Sequence, residues 1–180
     1  MTGRVGGNAS ADALAFHEDA LVLDAASFFL EGYDDDIAAS GVDSFNIMAP
    51  WPGDDFEQAV ARLEGYRALV LGEARLRLAE GPADILAAKS QRQVAVVLGA
   101  QDSLFMGDDV SRLDTFKKLG LRYLQLTYNY RNLVGDGCAE ATDAGLSHFG
   151  RELVQALPAA GIVMDVTHAG ERTALEALTL

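Results

Sequence analysis

The fold is decided by three neighbouring segments in the second half of the chain: Leu126-Thr-Tyr-Asn-Tyr-Arg-Asn-Leu-Val-Gly-Asp-Gly-Cys-Ala-Glu140, Asp143-Ala-Gly-Leu-Ser-His-Phe-Gly-Arg-Glu-Leu-Val154 and Ile162-Val-Met-Asp-Val-Thr-His168. The first segment places a polar, glycine-rich loop after an apolar run, and the last places a histidine at the end of the next run. Parallel α/β proteins carry binding and catalytic residues in such loops. The sequence therefore predicts that functional residues lie at the carboxyl ends of the predicted strands.

Apolar runs of strand length alternate along the whole chain with segments of helical period. The runs are continuously apolar, which is typical of strands buried on both faces of a parallel sheet. Predicted strands occupy residues 20–24, 42–48, 93–98, 121–126 and 161–166. Predicted helices occupy residues 34–39, 54 to about 79, 82–90, 108–119, 145–159 and 171–180.

Five such units predict an α/β fold in which helices cover the faces of a parallel sheet. A doubly wound sheet and part of a barrel both satisfy this pattern. A complete eight-unit barrel needs roughly 250 residues, so the 180 residues of this chain are too few to close one. No repeat or linker divides the sequence. We therefore predict one incomplete domain over residues 1–180, with residues 1–19 as an N-terminal extension.

Charge and cysteine content exclude several classes of partner. A formal net charge of −13 disfavours nucleic acid and anionic membranes, since both require a basic surface. The single Cys138 excludes an internal disulfide framework and fits a reducing, cytoplasmic compartment. The chain has no apolar span of about 20 residues and no recognisable signal peptide. Small molecules, cations or proteins are the expected partners.

Five motifs carry a resemblance to a known family. They are Leu119-Gly-Leu-Arg-Tyr123, Gln125-Leu-Thr-Tyr-Asn129, Asn132-Leu-Val-Gly-Asp-Gly-Cys138, Gly145-Leu-Ser-His-Phe-Gly-Arg-Glu-Leu-Val154 and Asp165-Val-Thr-His-Ala-Gly170. With them, the chain resembles the N-terminal portion of the membrane (renal) dipeptidase family of zinc metallopeptidases, in a divergent bacterial-type branch. The resemblance implies parallel units of a TIM-like barrel, about five of eight being present. It also implies zinc-dependent hydrolysis of dipeptides at the carboxyl ends of the strands.

The resemblance also assigns ligand positions, and this sequence departs from most of them. In the family, the first strand ends with the sequence Asp-Gly-His-Asn-Asp, whose His and last Asp bind zinc. Ala26 and Phe28 stand at the matching positions of this sequence. A bridging glutamate is expected after the third predicted strand, where Gln101 is found. A neutral amide bridges two cations poorly because it has no second anionic oxygen. These degenerate positions predict weak or absent activity for this chain and no stoichiometric zinc.

The remaining candidate residues lie at the predicted strand ends. His168 follows the fifth predicted strand and is the one metal ligand that the resemblance supports. Tyr128 occupies the position of a histidine that contacts substrate in the family. Arg131, Asn132 and Asp136 form a polar group on the loop after the fourth predicted strand. We predict that these three residues, Tyr128 and Gln101 bind substrate. The alternative is a self-satisfied loop, in which Arg131 pairs with an acid and Asn132 caps a turn.

Three hypotheses of function remain open at this point. The chain is a fragment of a metallodipeptidase, a metal-free relative that binds a small amide or peptide, or an assembly-forming half barrel whose open sheet edges pair with another chain. Metal content, turnover and ligand binding distinguish the first two hypotheses. Molecular size at several concentrations tests the third, which predicts a homo-oligomer.

Overall fold

The computed structural model describes residues 9–28, 35 and 41–180. Its helices are α1 (Ala11–Asp19), α2 (Phe56–Gly72), α3 (Pro82–Ser90), α4 (Arg112–Lys118), α5 (His148–Ala160) and α6 (Glu171–Leu178), with a short 3₁₀ helix at Leu104–Met106. Its strands are β1 (Leu23–Ser27), β2 (Ser44–Met48), β3 (Leu76–Leu78), β4 (Val94–Ala100), β5 (Leu121–Gln125) and β6 (Val163–Asp165).

All six strands are parallel and form one sheet. Five of them run in the order β1-β2-β4-β5-β6. Strand β2 pairs with one edge of β4 from Ala95 to Gly99. The short strands β3 and β5 share the other edge, since β3 pairs with the first residues of β4 and β5 with the last. The predicted α/β fold and the incomplete, half-barrel form are confirmed.

The two faces of the sheet carry different layers. Val96 and Leu98 belong to the main core, under α2, α4 and α5. Ala95 lies on the other face, where it packs with Ala88 of α3, because successive residues of a strand point to opposite faces. From β3 to β4 the chain moves across the sheet in the direction opposite to that of its other crossovers. Because crossovers between parallel strands are right-handed, the connecting helix α3 lies on this opposite face.

The main core is centred on aromatic rings that link α2 and α4. The ring of Phe116 lies 5.5 Å from that of Phe56 and 4.5 Å from that of Phe105, both edge to face. Phe116 and Phe105 are fully buried. Edge-to-face contacts add to the free energy gained from the buried area itself. This layer covers one face of the sheet. The carboxyl ends of the strands are continued by loops.

Local sequence explains where the best-defined helices begin. The Asp55 side chain accepts a hydrogen bond from Gln58 N at 2.9 Å, and Gln58 Oε1 accepts one from Asp55 N at 3.0 Å. This reciprocal capping box starts α2. Ser147 Oγ accepts a hydrogen bond from Gly150 N at 2.9 Å and starts α5. Proline at the first position starts α3, which has the bounds predicted from sequence.

The predicted helix from residue 54 to about 79 is wrong after residue 72. Helix α2 ends at Gly72, and residues 76–78 form β3. Leu76 pairs with Val94 and Leu78 with Val96, so strand pairing overrides the helical spacing of these apolar residues. The sheet consequently contains a sixth strand that the sequence analysis missed.

Smaller differences concern element boundaries. The first predicted strand, residues 20–24, is observed as Leu23–Ser27, and the third extends to Ala100. Helix α4 begins at Arg112 and not at residue 108. Asp109 Oδ1 accepts hydrogen bonds from N and Oγ of Ser111 at 2.9 and 2.6 Å, and this local turn competes with helix. The predicted helix 34–39 lies outside the described residues except for Asp35. The N-terminal extension 1–19, of which residues 11–19 form α1, stays a prediction.

Candidate functional site

The predicted site residues lie at one edge of the sheet. Gln101 follows β4, the loop of residues 126–147 follows β5, and residues 166–170 follow β6. Carboxyl ends of parallel strands meet at the same edge, which is where α/β proteins bind ligands. The long loop after β5 supplies most of the polar groups, so its internal bonding decides which of them remain available.

Asn132 joins the loops after β4 and β5. Its Nδ2 lies 2.8 Å from Asp102 Oδ1, 3.2 Å from Ser103 Oγ and 2.8 Å from the Leu126 carbonyl oxygen. Its Oδ1 accepts a hydrogen bond from Val134 N at 2.7 Å. All polar atoms of the side chain are therefore used within the protein. The turn-capping alternative describes this geometry, while the predicted substrate contact of Asn132 stays a prediction.

Asp102 is the buried partner of Asn132. The residue is 8% exposed and also accepts a hydrogen bond from Ser103 N at 2.7 Å. Burial raises the pKa of Asp102, and the hydrogen bonds from Asn132 and Ser103 oppose this rise. A buried carboxylate depends strongly on its donors, so the Asn132 contact is an important structural link between the two loops.

Arg131 and Asp136 form an ion pair within the same loop. Arg131 Nη2 donates to Asp136 Oδ2 at 3.0 Å, and Nε donates to Oδ1. Asp136 also accepts a hydrogen bond from Ala144 N at 2.6 Å, and its own backbone N–H donates to Thr173 Oγ1 at 3.1 Å. The hydrogen bonds from Arg131 and Ala144 lower the pKa of Asp136. The Asp136 side chain is buried, whereas the Arg131 side chain remains 55% exposed, so only Arg131 of this pair faces solvent.

Tyr128 and His168 lie in contact at the carboxyl-end edge of the sheet, which is called the rim below. Their ring centroids lie 4.6 Å apart, and the ring planes are inclined at 56°. The His168 carbonyl oxygen accepts hydrogen bonds from Cys138 N at 2.8 Å and from Thr127 Oγ1 at 3.2 Å. His168 has a left-handed backbone, with φ of 66°. The loop after β5 and the turn after β6 are thus bonded together, which places two predicted site residues in contact.

One glycine permits this loop to fold on itself. A Cβ atom at Gly137 would lie 2.3 Å from the carbonyl carbon of Asn129. Ala139 N donates to the Asn129 carbonyl at 2.8 Å across the same approach. Glycine at position 137 is therefore a requirement of close backbone packing.

The donors at this edge do not fit a pair of zinc ions. Zinc sites in proteins use imidazole, thiolate and carboxylate ligands, usually three or four per ion. Ala26 and Phe28 have no donor atom, and Gln101 is a neutral amide. Among the described residues, no three His, Cys, Asp or Glu side chains gather closely enough to hold a metal ion. His168 is thus the only predicted ligand here with the chemistry that zinc requires.

The structure brings together some predicted residues and separates others. Tyr128 contacts His168, and Arg131 contacts Asp136. Gln101 makes no hydrogen bond to any residue of the described ranges and is partly exposed. The sequence analysis missed the role of Asp102 as a loop anchor. Its position two residues after the continuous apolar strand β4 was the available signal, because a buried carboxylate needs donors from the neighbouring strand end.

The family model for membrane dipeptidase, peptidase family M19, matches residues 10–180. The chain belongs to this family. Dipeptidase tcpJ of Claviceps purpurea is 28% identical over 114 residues, which cover 62% of this chain and 27% of that protein. Among solved structures, an amidohydrolase from Pseudomonas aeruginosa matches with a TM-score of 0.86 and 29% identity, covering 92% of this chain and 51% of its own.

A second solved structure supports the fold of this membrane dipeptidase relative. The probable dipeptidase PvdM from Pseudomonas aeruginosa has a TM-score of 0.79 at 20% identity, over 94% of this chain and 52% of its own. The chain therefore spans about half the length of these structures. Despite the family name, no helix in the described ranges has the length and apolar character to cross a bilayer.

Proposed function

We propose that this chain carries ligand-binding loops of a dipeptidase-type barrel, and that by itself it has weak or no hydrolytic activity. Membership of the family supports the class of ligand, a dipeptide or related small amide. The ligand positions Ala26, Phe28 and Gln101, beside a single His168, support the loss of hydrolysis. This donor set is the observation that carries the proposal.

The reaction of the family depends on metal chemistry that these residues do not supply. Bound zinc polarises a carbonyl group and generates hydroxide near neutral pH. Each ion must be held by several donors, and loss of even supporting residues weakens such sites. We therefore expect no hydrolytic step from the described residues alone.

A second candidate function is metal-free binding of a dipeptide or small amide. It is favoured by the Tyr128 and His168 rings at the rim and by the partly exposed amide of Gln101. A phenol, an imidazole and an amide can hydrogen-bond a carboxylate or peptide group without a metal. The exposed guanidinium of Arg131 adds a positive charge in the same loop, next to its paired carboxylate.

Titration of a simple dipeptide into chelator-treated protein tests this binding. We expect saturable heat by calorimetry, weakened in Tyr128→Phe, which loses the hydroxyl, and further weakened in Tyr128→Ala. Tyr130→Ala is the matched control, since that side chain is 67% exposed in the same loop. Absence of binding by the native chain, or equal binding by all variants, would contradict the proposed role of the rim.

Cytoplasmic location and self-association belong to the proposal as well. Four of the five residues of β1 are exposed, which leaves this edge of the sheet available for pairing. We expect concentration-dependent oligomers in sedimentation experiments. A monomer at all concentrations would exclude the assembly role.

A further inference from the structure

A hydroxyl and carboxylate pair lies below the rim and has no place in the site described above. Tyr123 OH donates to Asp165 Oδ2 between β5 and β6. The two residues lie on the same face of adjacent strands, because Gln125 pairs with Asp165 and Tyr123 pairs with Val163. Both side chains are partly buried. Such a bond fixes the carboxylate of Asp165 from one side.

The other oxygen of the Asp165 carboxylate organises the turn that follows β6. Asp165 Oδ1 accepts hydrogen bonds from Thr167 N at 2.9 Å and from Thr167 Oγ1 at 2.8 Å. This local turn leads directly into His168, whose φ is 66°. A left-handed backbone is unfavourable for a non-glycine residue, because its Cβ crowds the following carbonyl oxygen. Neighbouring contacts must therefore hold His168 in this conformation.

The charges of the pair agree with this arrangement. Burial and the hydrogen bond to Asp165 raise the pKa of Tyr123, so its hydroxyl keeps its proton at neutral pH. Burial also disfavours the charged form of Asp165, but the hydrogen bonds from Tyr123 and Thr167 prevail and lower its pKa. The phenol is thus a constant donor and the carboxylate a constant acceptor.

We propose that Tyr123 and Asp165 are positioning residues, which fix the turn after β6 and thereby set the orientation of the His168 ring against Tyr128. The inference rests on the proposed function, in which His168 and Tyr128 line the ligand site. Tyr123 connects to His168 through Asp165 and Thr167, while Cys138 N holds the His168 carbonyl from the opposite side.

Nuclear magnetic resonance of the full 180-residue chain tests the inference without any activity assay. Tyr123→Phe removes only the hydroxyl, and Asp165→Asn keeps one acceptor oxygen. We expect Tyr123→Phe to shift the His168 ring resonances and to reduce the cross-peak between the His168 and Tyr128 rings. We expect a smaller change in Asp165→Asn than in Asp165→Ala, because the conservative variant partly restores the acceptor.

Internal references separate positioning from general loss of structure. The other two histidines, His17 and His148, should keep their resonances in every variant. Tyr130→Phe, which removes an exposed hydroxyl from the neighbouring loop, should leave His168 unchanged. Unchanged His168 resonances and an unchanged cross-peak in both Tyr123→Phe and Asp165→Ala would overturn the inference. Dipeptide binding of the native chain is measured separately, so failure of the proposed function is distinguishable from failure of this inference.

Discussion

At the residue scale, the loops of the candidate site are held in place by a few side chains whose polar atoms all form hydrogen bonds within the protein. Asn132 is the main example, since it bonds to groups that follow β4 and to groups that follow β5. The sequence predicted that Asn132 lies in a functional loop and offered turn capping as the alternative. Its contact with Asp102, 30 residues away, could not be predicted, because it requires the relative placement of two loops.

Asn132→Ala should destabilise the chain by about 2–3 kcal/mol. The substitution leaves the buried carboxylate of Asp102 without its side-chain donor, and unsatisfied buried acceptors are costly. Chemical denaturation monitored by circular dichroism measures the change in the free energy of unfolding. Leu133→Ala, at a 51% exposed neighbour, is the control and should change this free energy by less than about 0.5 kcal/mol. Equal stability of the two variants would contradict the anchoring role.

At the scale of elements, the strands and helices with strong boundary signals were predicted well. Helix α3 was found at its predicted bounds because Gly81-Pro82 marks its start. Strand β3 was missed because a three-residue strand has too little sequence to show a pattern, and only its pairing with β4 defines it. The contact between Tyr128 and His168 depends on the register of β5 and β6 and on two separate turns. Sequence spacing therefore placed both residues at the rim but could not place them together.

Helix α5 offers a test of packing against intrinsic helix preference. A Cβ at Gly150 would lie 2.0 Å from the Val134 carbonyl oxygen, whereas a Cβ at Gly65 in α2 would meet nothing within 4 Å. Alanine is favoured over glycine in helices by about 1 kcal/mol. Gly65→Ala should therefore stabilise the chain by about 0.5–1 kcal/mol.

Gly150→Ala should instead destabilise the chain by about 1–3 kcal/mol, because overpacking outweighs helix preference. Thermal or chemical unfolding of the two alanine variants gives the comparison directly. If Gly150→Ala stabilised the chain as much as Gly65→Ala, the close approach of α5 to the loop after β5 would be wrong.

The start of α6 provides a dependence of stability on pH. Asp143 Oδ2 accepts a hydrogen bond from Arg172 N at 2.6 Å, and Oδ1 accepts one from Thr173 Oγ1 at 3.0 Å. Burial opposes the charged form of Asp143, but these bonds and one from Gly145 N lower its pKa below that of an ordinary aspartate. Because the folded pKa is lowered, the stabilisation is present above the unfolded value, about pH 3.9, and is lost as the pH falls through the folded value.

Asp143→Asn should therefore lower the melting temperature at pH 6 and lose less further stability on acidification than the native chain. The expected cost at pH 6 is about 1 kcal/mol, as for other lost helix caps. Melting curves between pH 6 and pH 2.5 measure it. Asp108→Asn, at an exposed position, is the control and should follow the native curve. Parallel acid profiles for native protein and Asp143→Asn would refute the capping role.

At the scale of the whole molecule, family membership and chemistry of the site point in different directions. The family model matches nearly the whole chain, and the sheet superimposes well on a solved relative of about twice its length. The positions that the resemblance assigns to metal binding nevertheless hold Ala26, Phe28 and Gln101 in this sequence. We infer that the family fold is retained here without the donors needed for a metal pair.

The most direct measurement uses one sample of the 180-residue chain. The protein is incubated with excess zinc, freed of unbound metal by gel filtration, and then measured for zinc content and for turnover of a simple dipeptide. We predict less than one zinc ion per chain and no chelator-sensitive hydrolysis of the dipeptide. Two zinc ions per chain, together with chelator-sensitive dipeptide hydrolysis, would contradict the claim.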